Sequence, residues 1–282
     1  MVNLGGIETV FDIPEFLFRM FNDRHILPIG QPFRAFLSAL ITLFRMKGTF
    51  DIYRSVKASP VIKITKKQSE MLSKIFNDNV DYRFSYSKPI IKKSSKSLAI
   101  PLYGFYSHTT HGSILKKYKY VFPPLCIFPE FFDLIEKRIK DIIDKHKKHN
   151  VAILFSAHSL PKSLENNTKD PYRHDLEVFV GYFKKRLVQP VFLSFQSKLG
   201  PIEWLEPSTS DKIKELSNSY DCIIVVPISF ISDNTETVYE IDVEYKKIAQ
   251  SFSIKCFDRV ECFNDDKDFI KFLGKVIWSK YS

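Results

Sequence analysis

Four short apolar runs, each giving way at once to a polar cluster, set the strongest limit on how this chain folds. They are Leu98–Tyr106, Val151–Phe155, Val191–Phe195 and Cys222–Phe230. The clusters that follow are Ser107-His-Thr-Thr-His-Gly-Ser113, Ser156-Ala-His-Ser-Leu-Pro161, Gln196-Ser-Lys-Leu-Gly-Pro201 and Ile231-Ser-Asp-Asn-Thr-Glu236. Short unbroken apolar runs read as strands buried on both faces. With helical patterns between them, they predict parallel strands joined by crossover helices. In open α/β sheets ligands sit beyond the carboxyl ends of the strands, so the polar clusters are expected to line one cleft.

Helical periods fill the gaps. From Pro129 to about His149, Phe132, Ile135, Ile139 and Ile142/Ile143 recur at three-to-four spacing, and the segment ends on Lys145-His-Lys-Lys148, a basic end that suits the helix dipole. Further helices are expected over about 175–187, 211–218, 236–251 and 266–280. The simplest division is two α/β halves meeting near Pro123-Pro124. The first strand is short, since only Val2 and Leu4 precede Gly5-Gly6 as apolar residues, where about five or six residues are usual. That shortness predicts a reading frame starting upstream of Met1.

With 44% hydrophobic and 26% charged residues among 282, the chain has material for a large core and too little net charge for disorder. A net charge of +10 suits anionic partners: phosphates, carboxylates or a lipid surface. No apolar run approaches the roughly 20 residues of a bilayer-spanning helix. Met1-Val-Asn-Leu-Gly-Gly6 lacks the basic start and apolar stretch of a secretory signal, so a cytoplasmic protein is expected. Cys126, Cys222, Cys256 and Cys262 contain no C-x-x-C pair and read as reduced thiols.

Several groups carry possible chemistry. Glu236, Glu240 and Glu244 recur at every fourth position, which stacks three carboxylates on one helix face with Asp233 just before them. Like charges at that spacing cost about 0.2–0.5 kcal/mol per pair. Two readings stand: a path for a cation or protons, and a solvated face relieved by the helix N-terminus. His158 follows a strand and precedes Pro161, which turns the chain away. It reads as a general base, or as a hydrogen-bonded structural residue unless an acid shares its cleft. His108-x-x-His111, in a loop and with no third ligand to name, is a weak metal pair. Phe16, Phe18, Phe21, Phe33, Phe36, Leu37, Leu40, Ile41 and Phe44 interleave with Arg19, Arg24, Arg34, Arg45 and Lys47. Such a segment forms a membrane-surface or flat-ligand lip, or a core with basic edges.

Taken in order, Ser156-Ala-His-Ser-Leu-Pro161, Asp170-Pro-Tyr172, Phe195-Gln-Ser-Lys-Leu-Gly-Pro-Ile-Glu-Trp-Leu205, Val226-Pro-Ile-Ser-Phe-Ile-Ser-Asp233 and Glu236-Thr-Val-Tyr-Glu-Ile-Asp-Val-Glu-Tyr245 resemble the ferrochelatase family. The similarity extends back through Asn3-Leu-Gly-Gly6, Ser59-Pro60, Gln68 and Tyr103–Ser113. It implies a class II chelatase that inserts Fe²⁺ into protoporphyrin IX in the last step of haem synthesis. The implied fold is two similar Rossmann-like halves, each a four-stranded parallel sheet flanked by helices, with the macrocycle in the cleft between them. The halves would be 1–124, with a helix over 264–282 packing back on it, and 125–263. The family's active-site histidine falls on His158 and its glutamate on Glu236, both also contacting metal. Asp233 and Glu240 continue a proton or metal path. Leu4, Tyr106, Ser107 and Trp204 match porphyrin-lining positions. No organic cofactor is implied.

Departures from the family pattern are specific. Asn234 replaces a histidine, and an amide neither accepts nor releases a proton at neutral pH. Val56-Lys-Ala58 replaces a glycine-rich turn, and Ser85 stands in place of an arginine. His108 is a candidate to substitute for the missing imidazole. The coproporphyrin enzymes tend to have tyrosine at the position of Leu4, so Leu4 favours protoporphyrin IX. No cysteine follows Cys262, so no [2Fe-2S] cluster is expected. A monomer is expected, with peripheral membrane contact through the apolar rim and no nucleic-acid partner. Two alternatives are a haem or porphyrin carrier with weak or lost chelatase activity, and a coproporphyrin ferrochelatase.

Overall fold

The computed structural model describes residues 1–56, 58–198 and 200–281; Lys57 and Leu199, quoted above, lie outside the described residues. The chain begins with β1 (Val2–Asn3), α1 (Ile13–Phe21), α2 (Phe33–Val56), α3 (Val61–Phe76), β2 (Arg83–Phe84), β3 (Ser94–Ala99), α4 (His108–Leu115) and β4 (Tyr118–Val121). It continues with α5 (Pro129–Lys145), β5 (Val151–His158), α6 (Lys162–Thr168), α7 (Tyr172–Arg186), β6 (Val191–Gln196), α8 (Thr209–Leu216) and β7 (Cys222–Pro227). A π-helical segment, Glu236–Tyr245, then leads into α9 (Lys246–Ser251), β8 (Cys256–Arg259) and α10 (Lys267–Tyr281). Two compact units result: 1–124 with 232–235 and 263–282, and 125–231 with 236–262.

In the first unit β1 pairs in parallel with β2, and β3 with β4. Val2 joins the two pairs: its N–H donates to the Ile100 carbonyl, and its own carbonyl accepts from Leu102 N–H, each at 2.8 Å. The apolar run Leu98–Tyr106 is regular strand only as far as Ala99. Pro101 lacks the N–H that would continue a ladder. Around this sheet Val2, Ile91, Ala99, Tyr103 and Ile114 form one buried cluster, with Leu4 packed against it. On α1 the buried positions Ile13, Leu17 and Phe21 fall on one stripe. The longer α2 is inverted: Ser38 and Thr42 are buried, bonding back to the carbonyls of Arg34 and Ser38. Its Phe33, Phe36, Leu43 and Phe44 are instead 61, 61, 67 and 85% exposed. The aromatic–basic segment therefore divides, with α1 serving a core and α2 turning apolar rings outward. At the other end of the unit, Trp278 of α10 stacks on Phe76 of α3 at 6.4 Å.

The second unit holds, among the described residues, a four-stranded parallel sheet in the order β6-β5-β7-β8. The central strands β5 and β7 are buried on both faces, as their unbroken apolar sequences predict. On one face Leu154, Ile223 and Val225 meet Ile213, Ile241 and Ala249. On the other Phe155 packs 5.0 Å from Phe183, within a group of rings that includes Phe131, Phe132 and Phe179. Proline again sets a limit, because β7 stops at Pro227 rather than running to Phe230.

The expected acid-bearing α-helix is π-helical over its first ten residues. Its buried positions Thr237, Ile241 and Tyr245 are spaced strictly by four. That period exceeds the 3.6 of an α-helix and suits i→i+5 winding, which is frequent at functional sites.

Candidate active site

His158 ends β5 and pairs in register with Gln196, which ends β6. The sheet thereby brings both to its carboxyl edge. The main chain of His158 is fixed from two sides: its N–H donates to Ser229 Oγ at 2.9 Å and its carbonyl accepts from the Tyr172 hydroxyl at 3.1 Å. That hydroxyl lies 2.5 Å from Ser229 Oγ, and Tyr172 N–H donates to Asp170 Oδ1 at 3.1 Å. The Asp170-Pro-Tyr172 motif thus supports the strand tip.

The His158 ring does share its site with an acid. Its Nδ1 lies 2.9 Å from Oε2 of Glu236, the first residue of the π-helical segment. The same Oε2 accepts from Ser197 Oγ at 2.7 Å, and that hydroxyl is 2.5 Å from Glu240 Oε2. One hydroxyl carries one proton and can donate to only one of two carboxylates, so the other contact requires a protonated carboxyl. Burial and charge act differently on the two carboxyls. Burial and the adjacent Glu236 charge push Glu240 up, against hydrogen bonds from Ser197 and Tyr245. For Glu236 burial acts upward too, but His158 and donors from Ser197 and Gln196 outweigh it and hold the group down. Burial alone would lower His158; the charge and hydrogen bond of Glu236, reinforced by Glu240, raise it. Glu240, the carboxyl pushed up, Ser197, Glu236, the carboxyl held down, and His158 form one hydrogen-bonded line.

Supporting groups hold the far carboxyl. Glu240 Oε1 accepts from the Tyr245 hydroxyl at 2.6 Å and from Ser197 N–H at 2.8 Å. Gln196 Nε2 donates to Glu240 Oε2 at 3.3 Å, its amide oriented by Ser156 Oγ donating to Oε1 at 2.7 Å. Ser197 has φ +66°, a left-handed conformation uncommon outside glycine and often found at functional sites. Past Pro161, the loop after β6 doubles back, with Trp204 bridged to Pro161 and Lys162 N–H donating to the Glu203 carbonyl at 2.9 Å. Trp204 is half-buried there.

The expected acidic column divides. Glu236 and Glu240 turn toward Ser197, whereas Glu244 is exposed, so the solvated-face reading holds for it alone. Asp233 belongs to the first unit, where Asn264 clamps it: Nδ2 donates to Asp233 Oδ2 at 2.7 Å, and Oδ1 accepts from Asp233 N–H at 2.8 Å. Asn234 Nδ2 points back to the Ser232 carbonyl at 3.5 Å.

In the first unit Ser107 is buried as the N-cap of α4, its Oγ accepting from Thr109 N–H at 3.3 Å. Tyr106 lies over His111 with ring centroids 4.9 Å apart, and its hydroxyl is 3.2 Å from His108 Nδ1. Leu4 is half-buried against the sheet core.

His108 and His111 lie on α4, not in a loop, and burial lowers His111 to about 4, leaving it neutral. Among the described residues the pair belongs to no set of three ligand side chains within 4.8 Å; the one such set is His146, Cys222 and Cys256.

Sequence reasoning placed Gln196 and Ser197 in a cleft-lining cluster but gave neither them nor Ser229 and Tyr245 a role. The signal for the first two was their place at the end of a buried strand, which Gln196 closes and Ser197 follows.

The ferrochelatase family profile matches residues 1–281. Ferrochelatase of Pelagibacter ubique is 33% identical over 99% of this chain and 90% of its own length. That of Rickettsia bellii is 32% identical over 98% and 85%, and that of Campylobacter concisus 31% over 97% and 94%. Among solved structures, DR2241 from Deinococcus radiodurans, described as a multi-domain protein with structural similarity to chelatases, has a TM-score of 0.48 at 11% identity, covering 77% of this chain and 50% of that one. From the whole-length profile match and these curated relatives, the chain belongs to the ferrochelatase family, enzymes of the metal-chelating lyase class.

Proposed function

We propose that the protein inserts Fe²⁺ into protoporphyrin IX, giving protohaem and two protons. The observation that carries this reading is the 2.9 Å contact of His158 Nδ1 with Glu236, continued through Ser197 to Glu240. Metallation exchanges two pyrrole N–H protons for one Fe²⁺, and the macrocycle must pucker to offer its nitrogen lone pairs. His158 takes the protons at Nε2, the ring nitrogen not engaged by Glu236, and gives them up from Nδ1 to the carboxylate. Glu240 releases a proton to solvent as Ser197 passes the next one along. His158 and Glu236 are also the donors that first meet the incoming iron, and Asp233 lies on its route. Trp204, Tyr106, Ser107 and Leu4 line the porphyrin, with basic side chains for its propionates.

An apolar Leu4, where the coproporphyrin enzymes tend to have tyrosine, supports protoporphyrin as substrate. The outward Phe33, Phe36, Leu43 and Phe44 of α2 support peripheral contact with a membrane, the source and sink of poorly soluble tetrapyrroles. No helix among the described residues is long and apolar enough to cross a membrane.

Anaerobic steady-state assays with Fe²⁺ and either protoporphyrin IX or coproporphyrin III test the proposal. A larger kcat/KM with protoporphyrin IX is expected, and the reverse preference overturns the substrate. A porphyrin that binds but acquires neither iron nor zinc identifies a carrier instead.

A further inference from the structure

The second unit gathers another set of metal-binding side chains at the amino edge of its sheet. Cys222 opens β7 and Cys256 opens β8, and the two are direct partners in the parallel register. His146 follows the last turn of α5 as its C-cap. Cys256 Sγ lies 3.2 Å from His146 Nδ1 and 3.6 Å from Nε2. The ligand atoms of all three residues fall within 4.8 Å of one another.

A fourth residue orients the imidazole. His146 Nε2 lies 3.0 Å from Asp258 Oδ2. With the carboxylate accepting from Nε2–H, the ring's lone pair is on Nδ1, the nitrogen nearer the thiol. Metal-bound histidines are held in this way, their second nitrogen donating to a carboxylate. Zinc bonds of about 2.3 Å to sulfur and 2.0–2.1 Å to nitrogen put the two donors roughly 3.6 Å apart on a tetrahedron. The Nδ1–Sγ separation of 3.2 Å lies within about 0.4 Å of that value.

The donor types narrow the ion. Two thiols and an imidazole suit zinc and other borderline or soft cations, and they disfavour magnesium and calcium, which take oxygen. Three protein donors leave one tetrahedral vertex for water or a small exogenous ligand. Cys222 pairs with Val151, the first residue of the strand that His158 ends. At about 3.3 Å per residue, seven residues of strand separate the cluster from His158 by roughly 23 Å.

We infer that Cys222, Cys256 and His146 form a binding site for a thiophilic divalent cation of the zinc class, separate from the candidate active site. The ion would tie the end of α5 to the starts of β7 and β8.

Co²⁺ titration of the full-length, reduced, chelator-treated protein tests the site, because a thiolate-to-cobalt charge-transfer band requires cysteine coordination. The band is expected to saturate at one equivalent, with tetrahedral visible bands, and to vanish on adding Zn²⁺. Cys256→Ser should abolish it, and His146→Ala should weaken binding by at least the roughly tenfold that loss of a ligand's outer hydrogen-bonding partner costs. His158→Ala and Cys126→Ser should retain it. Cys256→Ala, checked by circular dichroism, replaces the serine variant if that does not fold. No charge-transfer band at saturating cobalt, a band that survives loss of Cys256, or a Cys222–Cys256 disulfide persisting in reductant overturns the inference.

Discussion

Ser197 reaches Glu240 twice, its backbone N–H donating to Oε1 at 2.8 Å and its hydroxyl lying 2.5 Å from Oε2. The left-handed backbone at Ser197 presents both groups to the same carboxyl. Ser197→Ala drops the hydroxyl and keeps the strained conformation; Ser197→Gly drops the hydroxyl and relieves the strain, worth about 1 kcal/mol. Both variants are expected to slow metal insertion about tenfold to a hundredfold. The glycine variant should unfold at the higher temperature of the two. Wild-type rates in both, read by zinc-porphyrin fluorescence, would remove Ser197 from the proton line.

His158→Ala is expected to cut turnover by about 10²–10⁴-fold while porphyrin binding persists. Fluorescence quenching of bound porphyrin, measured beside the rate, separates the two effects. Rates near wild type would refute the general-base role.

The pairing of His158 with Glu236 fixes a pH window for stability. His158 is raised above its ordinary 6.5, so its contribution is fully present below 6.5 and is lost as pH rises through the raised value. Glu236 is lowered below its ordinary 4.5, so its contribution is present above 4.5 and is lost as pH falls through the lowered value. The difference in unfolding midpoint between wild type and His158→Gln should therefore peak between those two ordinary values and shrink on both sides. A difference flat with pH contradicts the ion pair. In activity the same raised imidazole must lose its proton to act as a base. The rate should rise with pH through a midpoint above 6.5, and Glu236→Gln should move that midpoint down.

Gly5 adopts φ +98°, and a Cβ there would lie 2.9 Å from Ser87 Cβ and 3.0 Å from Ser87 N. The Ser87 hydroxyl cannot retreat freely, because it accepts from Gly6 N–H at 2.9 Å and donates to the Gly6 carbonyl at 2.6 Å. Gly5→Ala is expected to cost about 1–3 kcal/mol. Denaturant unfolding measures it, and an unchanged midpoint would mean the loop shifts at no cost.

Asn234 offers an amide where the resemblance implies a histidine. Asn234→His is expected to speed insertion of Fe²⁺ under saturating porphyrin. An unchanged kcat would show that the asparagine carries no cost.

Residue type and period alone foretold much of this molecule. Unbroken apolar runs at Val151–Phe155 and Cys222–Phe230 foretold central parallel strands, the second of them three residues too long, because only strands covered on both faces dispense with alternation. Their ends dictated where His158 would stand. The order of the motifs around His158, Trp204 and Glu236 carried the family. Tertiary structure decided the rest, through contacts between residues far apart in the chain. Whether His158 meets an acid depends on β5 and the π-helical segment converging, the two residues being 78 positions apart. A four-residue repeat of glutamates does not say which members are buried. Only the winding of Glu236–Tyr245 and the left-handed turn at Ser197 select Glu236 and Glu240 and release Glu244 to solvent. Likewise, four scattered cysteines held no spacing signal, since the sheet register alone brings Cys222 beside Cys256. Periodicity reports which face of an element is covered; charge pairing and metal geometry depend on what covers it.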